Sequence, residues 1–165
     1  MPRGRPGVDP LDARAARAAA LDALARRDHA SCDLSRKLLD KGYDAGVVAA
    51  LLGALHAEKL LDDRRYAENF VAYHAARGQG PLRIRDKLRR YGLEGILVEQ
   101  CLDAFPDWIV HLQRTQLKKF GAQQPSNYAD RQRQARFLSY RGFTSAQIRT
   151  ALGFDTDLDP DAVGL

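Results

Sequence analysis

Residues 34–43 read LSRKLLDKGY, residues 84–93 read IRDKLRRYGL and residues 134–143 read QARFLSYRGF. The stretches are spaced by fifty residues, and each ends in a glycine followed by an apolar residue: Gly42 and Tyr43, Gly92 and Leu93, Gly142 and Phe143. A glycine that stops a helix takes the left-handed C′ position, and in a Schellman cap the residue after it packs on the residue three from the helix end. Counting back, those partners are Leu38, Leu88 and Leu138, so all three copies hold the apolar pair that the cap requires. The register extends outward. Leu34, Val48 and Leu52 are matched by Ile84, Val98 and Leu102 and by Gln134, Ile148 and Leu152, with Gln134 alone having turned polar.

A second helix is expected after each stop, with stripes at Val47, Val48, Leu51, Leu52 and Leu55, then at Leu97, Val98, Cys101, Leu102 and Phe105. In the third copy Thr144 and Gln147 have capping-box spacing. A further helix is expected before each repeated stretch, over 11–27, 62–77 and 107–120. Asp62 and Asp107 are placed to cap two of them and Gly78 and Gly121 to stop them. Their core stripes read Tyr66, Phe70 and Tyr73, and Trp108, Leu112 and Phe120 with Ile109 and Leu117 beside them. No stretch alternates in the manner of a strand. The expected fold is all-α: three tandem three-helix repeats forming an elongated, curved array. The expected division is a disordered 1–10, repeats over 11–61, 62–106 and 107–153, and an acidic flexible tail over 154–165.

The chain has 165 residues, 45% of them hydrophobic, enough for cores that need no staples. Its two cysteines, Cys32 and Cys101, form no CxxC pair and read as small hydrophobes in a reducing cytoplasm. No apolar run approaches the roughly 20 residues of a membrane span, and no membrane partner is expected. Catalytic patterns are missing as well. Gly78, Gly80 and Pro81 lack the Lys-Ser/Thr pair of a phosphate loop, and Pro81 fits a helix N1 position. His29, His56, His74 and His111 share no ligand spacing and read as ordinary surface or boundary residues. Asp62 and Asp63 read as helix-start carboxylates. A non-enzymatic binding protein, with no metal or cofactor, is the expectation.

Charge points to the kind of partner. Residues 1–63 hold ten basic and ten acidic residues, residues 64–153 sixteen basic and seven acidic, and residues 154–165 four aspartates and no base. The candidate partner-binding residues are Arg77, Arg83, Arg85, Lys87, Arg89 and Arg90 of the second repeat, where Asp86 is the single acid between 77 and 92. Arg131, Arg133, Arg136 and Arg141 continue the set in the third. Clustered like charge calls for an anionic partner, nucleic acid or an acidic protein surface. A helix-turn-helix reader of base sequence is disfavoured, because the last helices over 44–57 and 94–105 carry no basic residue. Backbone contact with single- or double-stranded DNA stays open.

Three segments in combination, LLDDRRYA at 60–67, GPLRIRDKL at 80–88 and RGFTSAQI at 141–148, resemble the RecX family of bacterial RecA regulators. The resemblance runs over residues 18–153; it departs at Cys32, where an arginine is common, and at both ends. It implies a protein that binds the RecA nucleoprotein filament and inhibits its ATPase, strand-exchange and coprotease activities, and a monomer is expected. The alternative from charge alone is a nonspecific nucleic-acid-binding repeat protein.

Overall fold

A computed structural model describes residues 8–153. Among these residues the chain forms nine helices and no strand: α1 (Ala13–Arg26), α2 (Ser31–Asp40), α3 (Ala45–Ala57), α4 (Asp63–Ala76), α5 (Pro81–Arg90), α6 (Ile96–Ala104), α7 (Trp108–Phe120), α8 (Tyr128–Tyr140) and α9 (Ser145–Leu152). They group as three tandem three-helix modules, each around its own core. The first core holds Leu34, Leu38, Val48, Leu55 and Leu61, the second Tyr66, Val71, Ile84, Leu88, Val98 and Leu102, and the third Leu112, Leu138, Phe143, Ile148 and Leu152.

The middle helix of each module ends in the same way. Gly42, Gly92 and Gly142 have φ of +103°, +76° and +91°. The amides of Tyr43, Leu93 and Phe143 donate to the carbonyls of Leu38, Leu88 and Leu138 at 3.3, 3.1 and 3.2 Å, closing the Schellman ring and delivering the apolar residue onto the leucine. Helix starts follow local chemistry too. Asp44 and Asp62 accept amide hydrogen bonds as N-caps, Thr144 and Gln147 form a reciprocal capping box, and Pro81 opens α5 at N1.

Several expectations need correction. Asp107 precedes α7 but sits at φ +59° and makes no capping bond, so its carboxylate does not stop that helix's orphan amides. Tyr73 and Leu117, assigned to core stripes, are exposed, because the cores of these helices are centred on Ala67, Val71 and Ala75 in α4 and on Leu112 in α7. Cys32 is exposed rather than packed as a small hydrophobe. His29 is no surface residue: it is 2% exposed, its Nδ1 lies 2.8 Å from Asp33 Oδ2, and its Nε2 has no partner. Of the segment 1–10, residues 8–10 are described, and the Pro10 carbonyl accepts the Asp44 amide at 2.9 Å. Residues 1–7 and the tail over 154–165 lie outside the described residues.

The polar residue in the repeated register, Gln134, is satisfied. Gln134, 2% exposed, accepts from Gln116 Nε2 at 2.8 Å and donates to Asp130 Oδ2 at 3.4 Å. A buried amide costs little when both ends find partners.

Candidate partner-binding site

The modules are joined at two places, and the joints position the charged surface. At the first, Ala30 of the α1–α2 turn is fully buried in the second module's core, and the Ser31 amide donates to Asp63 Oδ1 at 2.7 Å. Cys32 lies over Gly92 so closely that a Cβ on the glycine would stand 2.5 Å from the cysteine Cβ. Nearby, Asp33 gathers His29, Arg27 and Arg36 at 2.8, 3.1 and 2.8 Å. Burial pushes the Asp33 carboxyl up, but the His29 bond and the Arg27 charge hold it below its ordinary value overall. Tyr66 of the next module, pushed up by burial and then by Tyr91, also feels Arg27 and Asp33 across this joint.

The second joint is made of backbone. The amides of Gly80 and Leu82 donate to the carbonyls of Arg141 and Gly142 at 2.8 and 3.0 Å. A Cβ at Gly80 would lie 2.3 Å from the Gly142 carbonyl carbon, and one at Gly142 would lie 2.4 Å from Arg83 Cβ. Two arginines lock the arrangement. Arg141 donates through Nε to the Gly78 carbonyl at 2.8 Å and through Nη2 to the Arg77 carbonyl, and Arg83 donates to the Tyr140 carbonyl at 3.1 Å.

These contacts sort the candidate cations. Arg83 and Arg141 are structural at the joint, each spending donors on carbonyls while keeping its charge. Arg85 is held by both oxygens of Glu99 at 2.6 Å; that hydrogen bond raises the Arg85 pKa and lowers that of Glu99. Arg133 pairs with Asp130 at 2.6 Å, and Arg89 stands 3.9 and 3.8 Å from Asp86 and Glu94, loose contacts worth little in water. Lys87 is half-buried, 3.4 Å from His74 Nδ1. Burial first, then Arg83, Arg90 and Arg141, lower its pKa, and burial with Lys87 and Arg77 does the same to His74. Arg77 lies over the Tyr73 ring, 3.6 Å from its centroid. Arg90, Arg131 and Arg136 are exposed and form no ion pair among the described residues.

Two hollows flank the second joint. One, of about 350 Å³, is bordered by Lys87, Arg90 and Tyr140, with Asp86 as an acid in its wall. The other, of about 640 Å³, lies between α4, α7 and α8 and brings Arg77 and Arg141 together with Arg114, Lys118 and Lys119 of α7. The sequence reading did not single out these last three. Their signal was available in the i,i+4 spacing of Arg114 and Lys118, which puts both on one helix face with no acid anywhere in α7. Among the described residues no group of three or more His, Cys, Asp or Glu could hold a metal ion, and no helix is long and apolar enough to cross a membrane.

Fold and surface together define a tandem three-helix repeat protein whose distinctive feature is a cationic exterior concentrated around its second joint. The first three-helix domain of RecX matches residues 16–55, the second residues 62–102 and the third residues 111–152. Regulatory protein RecX of Halorhodospira halophila is 44% identical over 138 residues, covering 83% of this chain and 86% of its own. That of Ectopseudomonas mendocina is 41% identical over 135 residues, covering 81% and 90%. The crystal structure of RecX from Lactobacillus salivarius superposes with a TM-score of 0.75 at 20% identity, over 86% of this chain and 95% of that one, a likeness of fold. This chain belongs to the RecX family, a family of regulatory proteins and not of enzymes.

Proposed function

We propose that this chain binds the RecA nucleoprotein filament, as a monomer in the cytoplasm, and lowers its ATPase, strand-exchange and coprotease activities. The observation that supports the reading is the tandem series of three modules held in fixed register by specific joints. A chain that engages neighbouring protomers of a polymer through successive modules turns each added contact into an intramolecular one. Affinity for the polymer then exceeds that for a free protomer by about 10²-fold or more. The expected result is inhibition of RecA ATPase on single-stranded DNA, with the full chain binding assembled filament far more tightly than monomeric RecA at one salt concentration. Equal affinities for the two forms would sink the bridging mechanism.

A second reading, nonspecific binding to nucleic acid, is favoured by the unpaired cations of modules two and three. Its signature is free DNA competing with filament for the protein as effectively as the filament's own DNA content predicts.

A further inference from the structure

The larger hollow at the second joint is bordered by charge of one sign. Arg77, Arg114, Lys118, Lys119 and Arg141 all line it, and no carboxylate does. None of the five forms an ion pair among the described residues, in contrast with Arg17, Arg26, Arg85 and Arg133, each of which has a carboxylate within 3.0 Å. The charge is also held in place. Arg141 is fixed at the wall by two carbonyls, Arg77 is stacked on Tyr73, and Arg114 and Lys118 ride one helix face about 6 Å apart along its axis. Like charges gathered this way repel one another, and burying the hollow against an anion relieves that repulsion. His111 and Phe137 add half-buried ring surface to the same walls.

We propose that the cleft between α4, α7 and α8 is a binding site for the phosphodiester backbone of single-stranded nucleic acid. Arg114, Lys118 and Lys119 contact successive phosphates, Arg77 and Arg141 hold the strand at the joint, and the rings of His111 and Phe137 offer surface to an unstacked base. A positively charged groove with interleaved ring faces is the arrangement that takes single strands without reading their sequence. A duplex keeps its bases stacked and paired and so offers no free base to the ring faces. The site deepens the proposed function, because a nucleoprotein filament carries such a strand, and it does not depend on RecA being the partner.

The test uses the full chain and a labelled oligothymidylate with no other protein present. Arg114, Lys118 and Lys119 are exposed, so the triple variant R114Q/K118Q/K119Q keeps the fold, which circular dichroism and the urea midpoint check. It is expected to lose about tenfold or more in affinity at low salt, and the slope of log affinity against log salt is expected to fall by about 2. A charge-matched variant of exposed first-module cations, R14Q/R26Q/K37Q, is expected to change the slope far less. The proposal is overturned by equal losses in the two triples, by no binding of the oligonucleotide to the parent chain, or by polyglutamate competing as well as oligothymidylate at equal charge. It is also overturned if a duplex of the same length binds as tightly with the same loss in the variant. Intact filament binding by a triple variant with unchanged oligonucleotide affinity would overturn this site and leave the proposed function standing.

Discussion

The two joints do the same job with different chemistry. Between modules one and two the contacts are a buried alanine, a serine amide on the Asp63 carboxylate, and Cys32 over Gly92. Between modules two and three, two amides meet two carbonyls, and a pair of arginines reaches further carbonyls. A side-chain joint tolerates adjustment, because rotamers can yield. A backbone joint does not, since the groups that would be left unpaired include peptide groups of the buried Gly80 and Gly142, each costing roughly 1–3 kcal/mol. The second joint is therefore the more exacting of the two, and it is the one that frames both cationic hollows.

The largest expected effect is at Gly80. A methyl group there meets main-chain atoms of Gly142 and Phe143 at 2.3 Å, with no flexible side chain to move aside. Gly80→Ala should cost about 3 kcal/mol, from overpacking and from lost hydrogen bonds across the joint. The check is the urea midpoint, together with hydrogen exchange at the Gly80 and Leu82 amides, which should lose protection. An unshifted midpoint would mean that the joint yields as easily as the first.

Gly92 and Gly42 sharpen the contrast. Both are C′ glycines with positive φ, but Gly92 faces Cys32 and Gly42 has nothing within 4 Å among the described residues. Gly42→Ala should cost about 1 kcal/mol, the backbone penalty alone, and Gly92→Ala about 2 kcal/mol. Because the excess comes from one side chain, it should shrink by about 1 kcal/mol in a Cys32→Gly background, measured as a double-mutant cycle. Equal costs at the two glycines would remove Cys32 from the joint.

Acid should separate the joints more gently. The folded Asp33 carboxyl, with burial opposed by His29 and Arg27, sits below its unfolded value. It thus contributes stability at neutral pH, and that contribution is lost as pH falls below about 4, the unfolded carboxyl range, toward the folded value. The hydrogen bonds described across the second joint involve no carboxylate. Stability between pH 6 and pH 3 should fall less in Asp33→Asn than in the parent chain, by a fraction of a kcal/mol to about 1 kcal/mol. Parallel curves would show that Asp33 is bystander to the first joint.

What the sequence disclosed follows from range. A Schellman cap is closed within six residues, so Gly42, Gly92 and Gly142 could be read from their own neighbours, as could the capping box at Thr144. The joints join residues about thirty to sixty apart, and nothing local to Gly80 says that Gly142 will lie against it. The same limit applies to the cations. Arg141 and Arg114 are equal in a charge count, yet one is tied to carbonyls across the joint while the other is exposed. Tyr73 was misread because its place on α4 continues the Tyr66 and Phe70 series, whereas the core at that end of the helix is filled by Ala75. Which side of a helix end is interior is decided by the neighbouring helices of the same module, which lie outside the local sequence window.

Gly42 carries a final implication. In modules two and three the seat beside the C′ glycine is filled by the start of the preceding module's middle helix, by Cys32 and by Arg83. In module one the equivalent seat has no occupant among the described residues. The array thus has a direction: modules one and two each set the start of their middle helix against the C′ glycine of the module that follows, and among the described residues nothing is set against Gly42. Such a one-way arrangement means that each unit's middle helix does two jobs, filling its own core and seating the unit after it.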